Sequence, residues 1–218
     1  MSSEIELTEH YRSTLESAIK KLINEIGEVP IGTKEQLPFG WRKAAKGRTV
    51  WRILEEVISQ NLEKTFESLG FYSFTPSTSE VGVYDFSFSL DGVIEAFVNV
   101  KSAVRGARAN KDDISKAVLI DALLTKVPNT TLFVATIEIE FLQKPTRIKL
   151  SNCYVVPVAW LPDIYVNPSN NGNLQSAKYK DLPSCVKRTN KEFHELLKVE
   201  IERAKAKKHA KLNVKPIE

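Results

Sequence analysis

Apolar and polar residues alternate in strict step along 82–90 and again along 93–101, on either side of Asp91-Gly92. Tyr84, Phe86, Phe88 and Leu90 are the apolar set of the first run, and Ile94, Ala96, Val98 and Val100 that of the second. A period of two marks strands with one face on a core, and Asp-Gly marks the turn of a hairpin. Directly opposed residues share a face, so a two-residue turn pairing Leu90 with Val93 would send the apolar sets to opposite sides. A three-residue connection, Leu90-Asp91-Gly92 with Gly92 left-handed, pairs Ser89 with Val93 and aligns them. The predicted register sets Asp85 opposite Phe97 and gathers Asp85, Asn99 and Lys101 on one face.

Helical periodicity surrounds this hairpin. Leu7, Tyr11, Leu15, Ala18, Ile19, Leu22, Ile23 and Ile26 predict a helix over 5–26, closed by Gly27. After a loop-rich stretch, 28–46, a second helix is expected from Thr49 as N-cap to a stop before Gly70. Its inward residues are Val50, Ile53, Leu54, Val57, Ile58, Leu62, Phe66 and Leu69. A loop, 102–110, leads to a predicted helix over 112–126 with acidic residues at its start. The strand-like run 130–141 then gives a β-α-β crossover and a parallel pairing. Further strands are expected at 148–150 and 153–160, a polar stretch over 166–184, and a terminal helix over 190–208. The fold class is α/β, a mixed central sheet flanked by helices.

At 218 residues the chain suits a single domain with a real core. No apolar run is long enough to span a bilayer, and the acidic start (Met1-Ser-Ser-Glu-Ile-Glu) does not read as a signal peptide. Cys153 and Cys185 lie far apart without metal spacing, which points to a reduced, cytoplasmic protein. His10, His194 and His209 are too scattered for a zinc site. The net charge of +4 is modest, so clustering carries more information than the total. Arg42, Lys43, Lys46, Arg48 and Arg52 form one basic stretch, and Arg105, Arg108 and Lys111, with Asn110 among them, form another just beyond Lys101. Both are glycine-punctuated and flank the hairpin, which suits phosphate contacts. The basic run 203–211 reads as a solvated helix face.

The shared face of the hairpin suggests chemistry. Cleaving a phosphodiester calls for a divalent cation and a nearby positive charge on the developing phosphate. Magnesium takes oxygen ligands and keeps several waters, so one or two carboxylates suffice. Asp85 and Lys101 meet these needs, and Asn99 offers a carbonyl oxygen. On the helical wheel of the second helix, Glu55 falls inside the apolar arc beside Phe66, where a carboxylate needs a cation, and is the expected second acid. The same pattern also describes a plain cross-strand ion pair, Asp85 with Lys101, on a solvated face.

Val83-Tyr84-Asp85-Phe86-Ser87-Phe88 followed by Phe97-Val98-Asn99-Val100-Lys101-Ser102 resembles the active-site hairpin of the PD-(D/E)XK nucleases, and most closely that of type II restriction endonucleases. The similarity covers 49–141. Tyr84 stands where proline often precedes the aspartate, and Asn99 stands where the family has its second acid. The resemblance implies a restriction-endonuclease-like α-β-β-β-α-β core, with the helices 5–26 and 190–208 as additions. It implies Asp85, Asn99 and Glu55 around Mg²⁺, with Lys101 as the catalytic lysine. A homodimer cutting palindromic double-stranded DNA to 5′-phosphate ends is then expected. Arg42, Lys43, Lys46, Arg48, Arg105, Arg108, Asn110 and Lys111 are the expected DNA contacts, and the asparagine-rich stretch 167–173 is a further loop that can approach bases. A structure-selective repair or junction nuclease of the same fold and an inactive DNA-binding module are the alternatives.

Overall fold

The computed structural model describes residues 3–42, 47–78, 82–107, 111–143, 146–169 and 172–213, without the side chains of 47, 48 and 211–213. The chain is a mixed α/β structure. Its order is α1 (Glu4–Ile26), β1 (Glu28–Gly32), α2 (Gly47–Thr65), β2 (Ser73–Pro76), β3 (Phe86–Ser89), β4 (Ala96–Val104), β5 (Asp112–Lys116), α3 (Ala117–Lys126), β6 (Thr131–Leu142), β7 (Thr146–Pro157), β8 (Tyr165–Val166), β9 (Asn173–Ser176) and α4 (Asn190–Asn213). A six-stranded sheet runs β1-β7-β6-β4-β3-β2, and a three-stranded sheet runs β5-β9-β8.

Ser3 begins α1 through a capping box with Glu6, and Gly27 closes it at φ 64°. The apolar stripe of α1 (Tyr11, Leu15, Ala18, Ile19, Leu22, Ile23) is buried in the chain's own core, so this helix covers the sheet. Val50, Leu54, Ile58 and Leu62 of α2 join the same core. They meet Phe86, Phe88, Ala96, Val98 and Val100, the even-numbered residues of the hairpin. On the other side of the sheet, Val83, Phe97, Leu132 and Val134 pack with Ile114, Ala117 and Ile120 and with Phe193, Leu197 and Ile201 of α4. Both faces are therefore covered by helices.

Several expectations are confirmed and others corrected. Strands β4 and β6 pair in parallel from Ala96↔Thr131 to Val104↔Ile139, as the crossover predicted. The hairpin keeps its parity, but Ser87, not Asp85, stands opposite Phe97. Its connection is the longer 90–95, because Asp91 folds the chain back on itself with Oδ1 accepting from Val93 N at 2.9 Å and Ile94 N at 3.0 Å. Sliding by two residues leaves every side chain on its predicted face.

The odd face is not solvated. Ser87 and Ser89 are buried, and Phe97 sits in the second core, so the picture of a wetted ion pair fails there. Residues 112–116 form β5 before α3, where a helix start was expected. Pairing with β9, from Asp112↔Ser176 to Lys116↔Asn173, outweighs the helix-dipole preference of the two acids. The same pairing draws 173–176 out of the polar stretch. Strand β1 forms inside the loop-rich segment because β7 offers it an edge, Val29↔Ile148. The two expected strands 148–150 and 153–160 merge into one long β7, irregular opposite Glu138/Ile139, which ends at Pro157, and Val158–Trp160 form a short 3₁₀ helix instead of strand. Ile53, expected inward, is 42% exposed: the buried stripe of α2 is centred on Leu54 and Ile58. No helix among the described residues is long and apolar enough to cross a membrane.

Candidate functional site

Asp85 precedes β3 directly and is tied to β4 at two points. Its N–H donates to Val98 O at 2.8 Å, and its Oδ2 accepts from Val100 N at 2.6 Å. The second bond fixes the carboxylate at the strand edge. Two residues beyond its opposite number, Lys101 leaves β4 on the same side. Asn99 lies between them, buried, with Nδ2 donating to Val83 O at 2.9 Å. That bond orients the amide so that Oδ1 is the atom left for the cleft. This part of β4 is held on one side by the β6 ladder, Asn99↔Val134 to Lys101↔Thr136, and on the other by the Asp85 side chain at Val100 N.

A cleft of about 220 Å³ gathers Asp85, Asn99 and Lys101 of the hairpin with Trp51, Arg52 and Glu55 of α2. Its far wall is Asp113, Ser115 and Lys116 of β5. Glu55 is only 13% exposed at its side chain and accepts from Arg52 Nη1 at 3.3 Å. Burial, then repulsion from Asp85, push its carboxyl up to about 7, against the pull of Arg52 and Lys101. Burial also raises the Asp85 carboxyl, opposed by the Val100 N–H, Lys101 and Arg52. Lys101 makes no ion pair within 4.0 Å among the described residues, so its ammonium is committed to neither acid.

Burial makes both carboxyls of this site harder to ionise than usual, and the neighbouring charges of Lys101 and Arg52 offset part of that effect. A hard cation with oxygen preference fits the site. Among the described residues there is no cluster of three or more His, Cys, Asp or Glu suited to a metal. The donors at hand are two carboxylates and one amide oxygen, which agrees with an ion that keeps most of its waters.

Asp113 escaped the sequence reading. It accepts from Gln175 Nε2 at 2.6 Å, and Gln175 Oε1 in turn accepts from Asn167 Nδ2 at 3.1 Å, so β9 aims it. The only signal in the sequence is the alternation Asp113-Ile114-Ser115, in which Ile114 alone points to the core. Asn173 reaches the cleft from the asparagine-rich stretch, while Asn167 is spent on Gln175.

The expected DNA contacts are only partly described. Lys43, Lys46, Arg108 and Asn110 lie outside the described residues, as do Asn170 and Asn171, and the Arg48 side chain does too. Arg42 stacks over Phe39 at 4.1 Å and Lys111 over Tyr165 at 4.2 Å. Arg105 is exposed and paired with Glu140 at 2.5 Å. None of these three lines the cleft. No family model matches the chain, and no curated protein matches it, so the site stands on its own geometry.

Proposed function

We propose that the chain is a Mg²⁺-dependent DNA endonuclease of the PD-(D/E)XK type, acting as a type II restriction enzyme on double-stranded DNA. The observation that carries this reading is the convergence of Asp85, Asn99, Lys101 and Glu55 on one cleft. With β5 of the smaller sheet inserted before α3, the order α2-β2-β3-β4-β5-α3-β6, an antiparallel meander followed by a parallel strand, is compatible with the core of that family.

Asp85 and Glu55 would hold the ion through carboxylate oxygens, with Asn99 Oδ1 as a neutral donor. When bound, Mg²⁺ neutralises charge on the phosphate and makes hydroxide accessible near neutral pH. Lys101 supplies a fixed positive charge beside the phosphate and orients the attacking water. Arg52 donates to Glu55 at 3.3 Å and offsets part of its charge. A homodimer would match a palindromic site, two-fold protein on two-fold DNA.

Incubation of the chain with plasmid DNA and Mg²⁺ tests this. Discrete fragments support it. Cleavage confined to branched DNA replaces it with a structure-selective nuclease, and shifted but intact DNA replaces it with a binding module.

A further inference from the structure

The chain has three tryptophans, and they differ sharply. Trp41 and Trp160 are 4% and 0% exposed, whereas Trp51 is 39% exposed. Trp51 stands one turn before Glu55 on α2. It lines the cleft that holds Asp85 and Lys101, and also the adjoining depression of about 260 Å³ where Lys101 and Ser102 face Asp113. The Arg52 guanidinium carbon lies 4.0 Å over its ring. One face of the indole is thus covered by a cation, while the residue keeps 39% of its surface exposed.

Single exposed hydrophobic residues are ordinary, and Ile53 two positions on is one of them, at 42%. Trp51 differs in place. It is a flat, stiff aromatic surface flanked by a guanidinium and set beside the ammonium of Lys101. A π-face next to fixed positive charge is how proteins grip single-stranded nucleic acid: bases stack on the ring while cations follow the backbone.

We propose that Trp51 is a stacking platform for one unstacked nucleobase, adjacent to the phosphate that Lys101 attracts. The location of that phosphate rests on the nuclease reading above; the platform itself does not. A cleft of about 220 Å³ is of a size to take part of one nucleotide. Within a duplex both faces of a base are covered by its neighbours. A base resting on Trp51 has therefore left its stack, either because the strand is unpaired there or because the nucleotide has been flipped out. The ligand chemistry is the same in both cases, an exposed base attached to its phosphate.

Because Trp41 and Trp160 are buried, solvent-accessible tryptophan emission reports on Trp51. The full chain is titrated in EDTA, where no cutting occurs, with a short oligothymidylate, a fully paired blunt duplex, and that duplex carrying 2-aminopurine. The oligothymidylate is expected to quench the accessible emission. By anisotropy of the labelled strand, Trp51→Ala weakens its binding about tenfold while Trp51→Phe, which keeps a π-face, retains most of it. With the 2-aminopurine placed next to the extruded base, so that it loses a stacking neighbour without itself resting on the indole, brightening assigns a flipped base, and quenching by the single strand alone assigns a substrate already unpaired. Equal affinity of Trp51→Ala and wild type, or no binding of any of these DNAs, overturns the platform. Quenching by a chain that cuts nothing in Mg²⁺ keeps the platform and removes the nuclease reading; cutting with unchanged Trp51→Ala affinity does the reverse.

Discussion

Asp91 and Asp85 belong to the same hairpin and live in opposite surroundings. At the tip, Asp91 Oδ1 accepts from Ile94 N, Val93 N, Tyr11 Oη and Ser89 Oγ at 2.9–3.2 Å. The Ile94 amide leads in holding its carboxyl down at about 2. At the other end, Asp85 takes one backbone N–H, from Val100, and burial leaves its carboxyl raised. A carboxylate that shapes the chain is saturated by donors of the chain itself. One that is buried and left short of donors is shaped for something arriving from outside.

The largest break in this comparison comes from exchanging the two ends. Asp85→Ala is expected to reduce plasmid cleavage by about 10²–10³-fold with the circular dichroism spectrum unchanged, and Lys101→Ala to do the same. Asp91→Ala should leave the cleavage chemistry in place but lower stability by roughly 1–3 kcal/mol in urea, since four donors lose their acceptor. Cleavage surviving in Asp85→Ala would end the assignment of the site.

Acidity separates the ends in opposite directions. Asp91, at about 2 against an ordinary 3.8, contributes stability that is complete above 3.8 and lost as pH falls through 2. Glu55, at about 7 against an ordinary 4.5, binds its proton more tightly in the folded chain. Its contribution is complete below 4.5 and lost as pH rises through 7 in the absence of metal. Mg²⁺ must displace that proton, so calorimetric affinity should rise about tenfold per pH unit as pH climbs toward 7 and level off above it. Glu55→Gln should flatten the profile; a profile unchanged in that variant would exclude Glu55 from the ligand set.

Smaller effects sharpen the picture of the tip and the floor. Gly92 has φ +74°, and a Cβ there would meet the Tyr72 ring at 2.7 Å, so Gly92→Ala should cost about 1–2 kcal/mol in thermal unfolding without altering metal binding. Thr136 lies beside Lys101 across the β4–β6 ladder with a buried hydroxyl that has no hydrogen-bond partner among the described residues. Thr136→Val should raise stability by about 1 kcal/mol. A drop in stability instead would mean that this hydroxyl is satisfied.

What could be read in the sequence was whatever local alternation or periodicity enforces. The parity of the hairpin survived a two-residue slip of register because sliding by two changes no side chain's face. The stops of α1 and the start of α4 followed from Gly27 and from the periodicity around Phe193. Strand β5 could not be read, because Asp112 and Asp113 before an apolar run look like a helix start, and the partner that makes them a strand lies about sixty residues away in β9. Asp113 was lost with it. Ile53 was misplaced because an arc drawn from composition does not tell which edge of α2 meets the sheet.

Beside α2, the cleft draws on two separate ladders. Asp85, Asn99 and Lys101 stand on the six-stranded sheet, and Asp113, Ser115, Lys116 and Asn173 stand on the three-stranded one. Changes accumulating on the smaller ladder can alter which ligands are admitted while the larger one preserves the reactive centre, so discrimination and reactivity are free to evolve at different speeds.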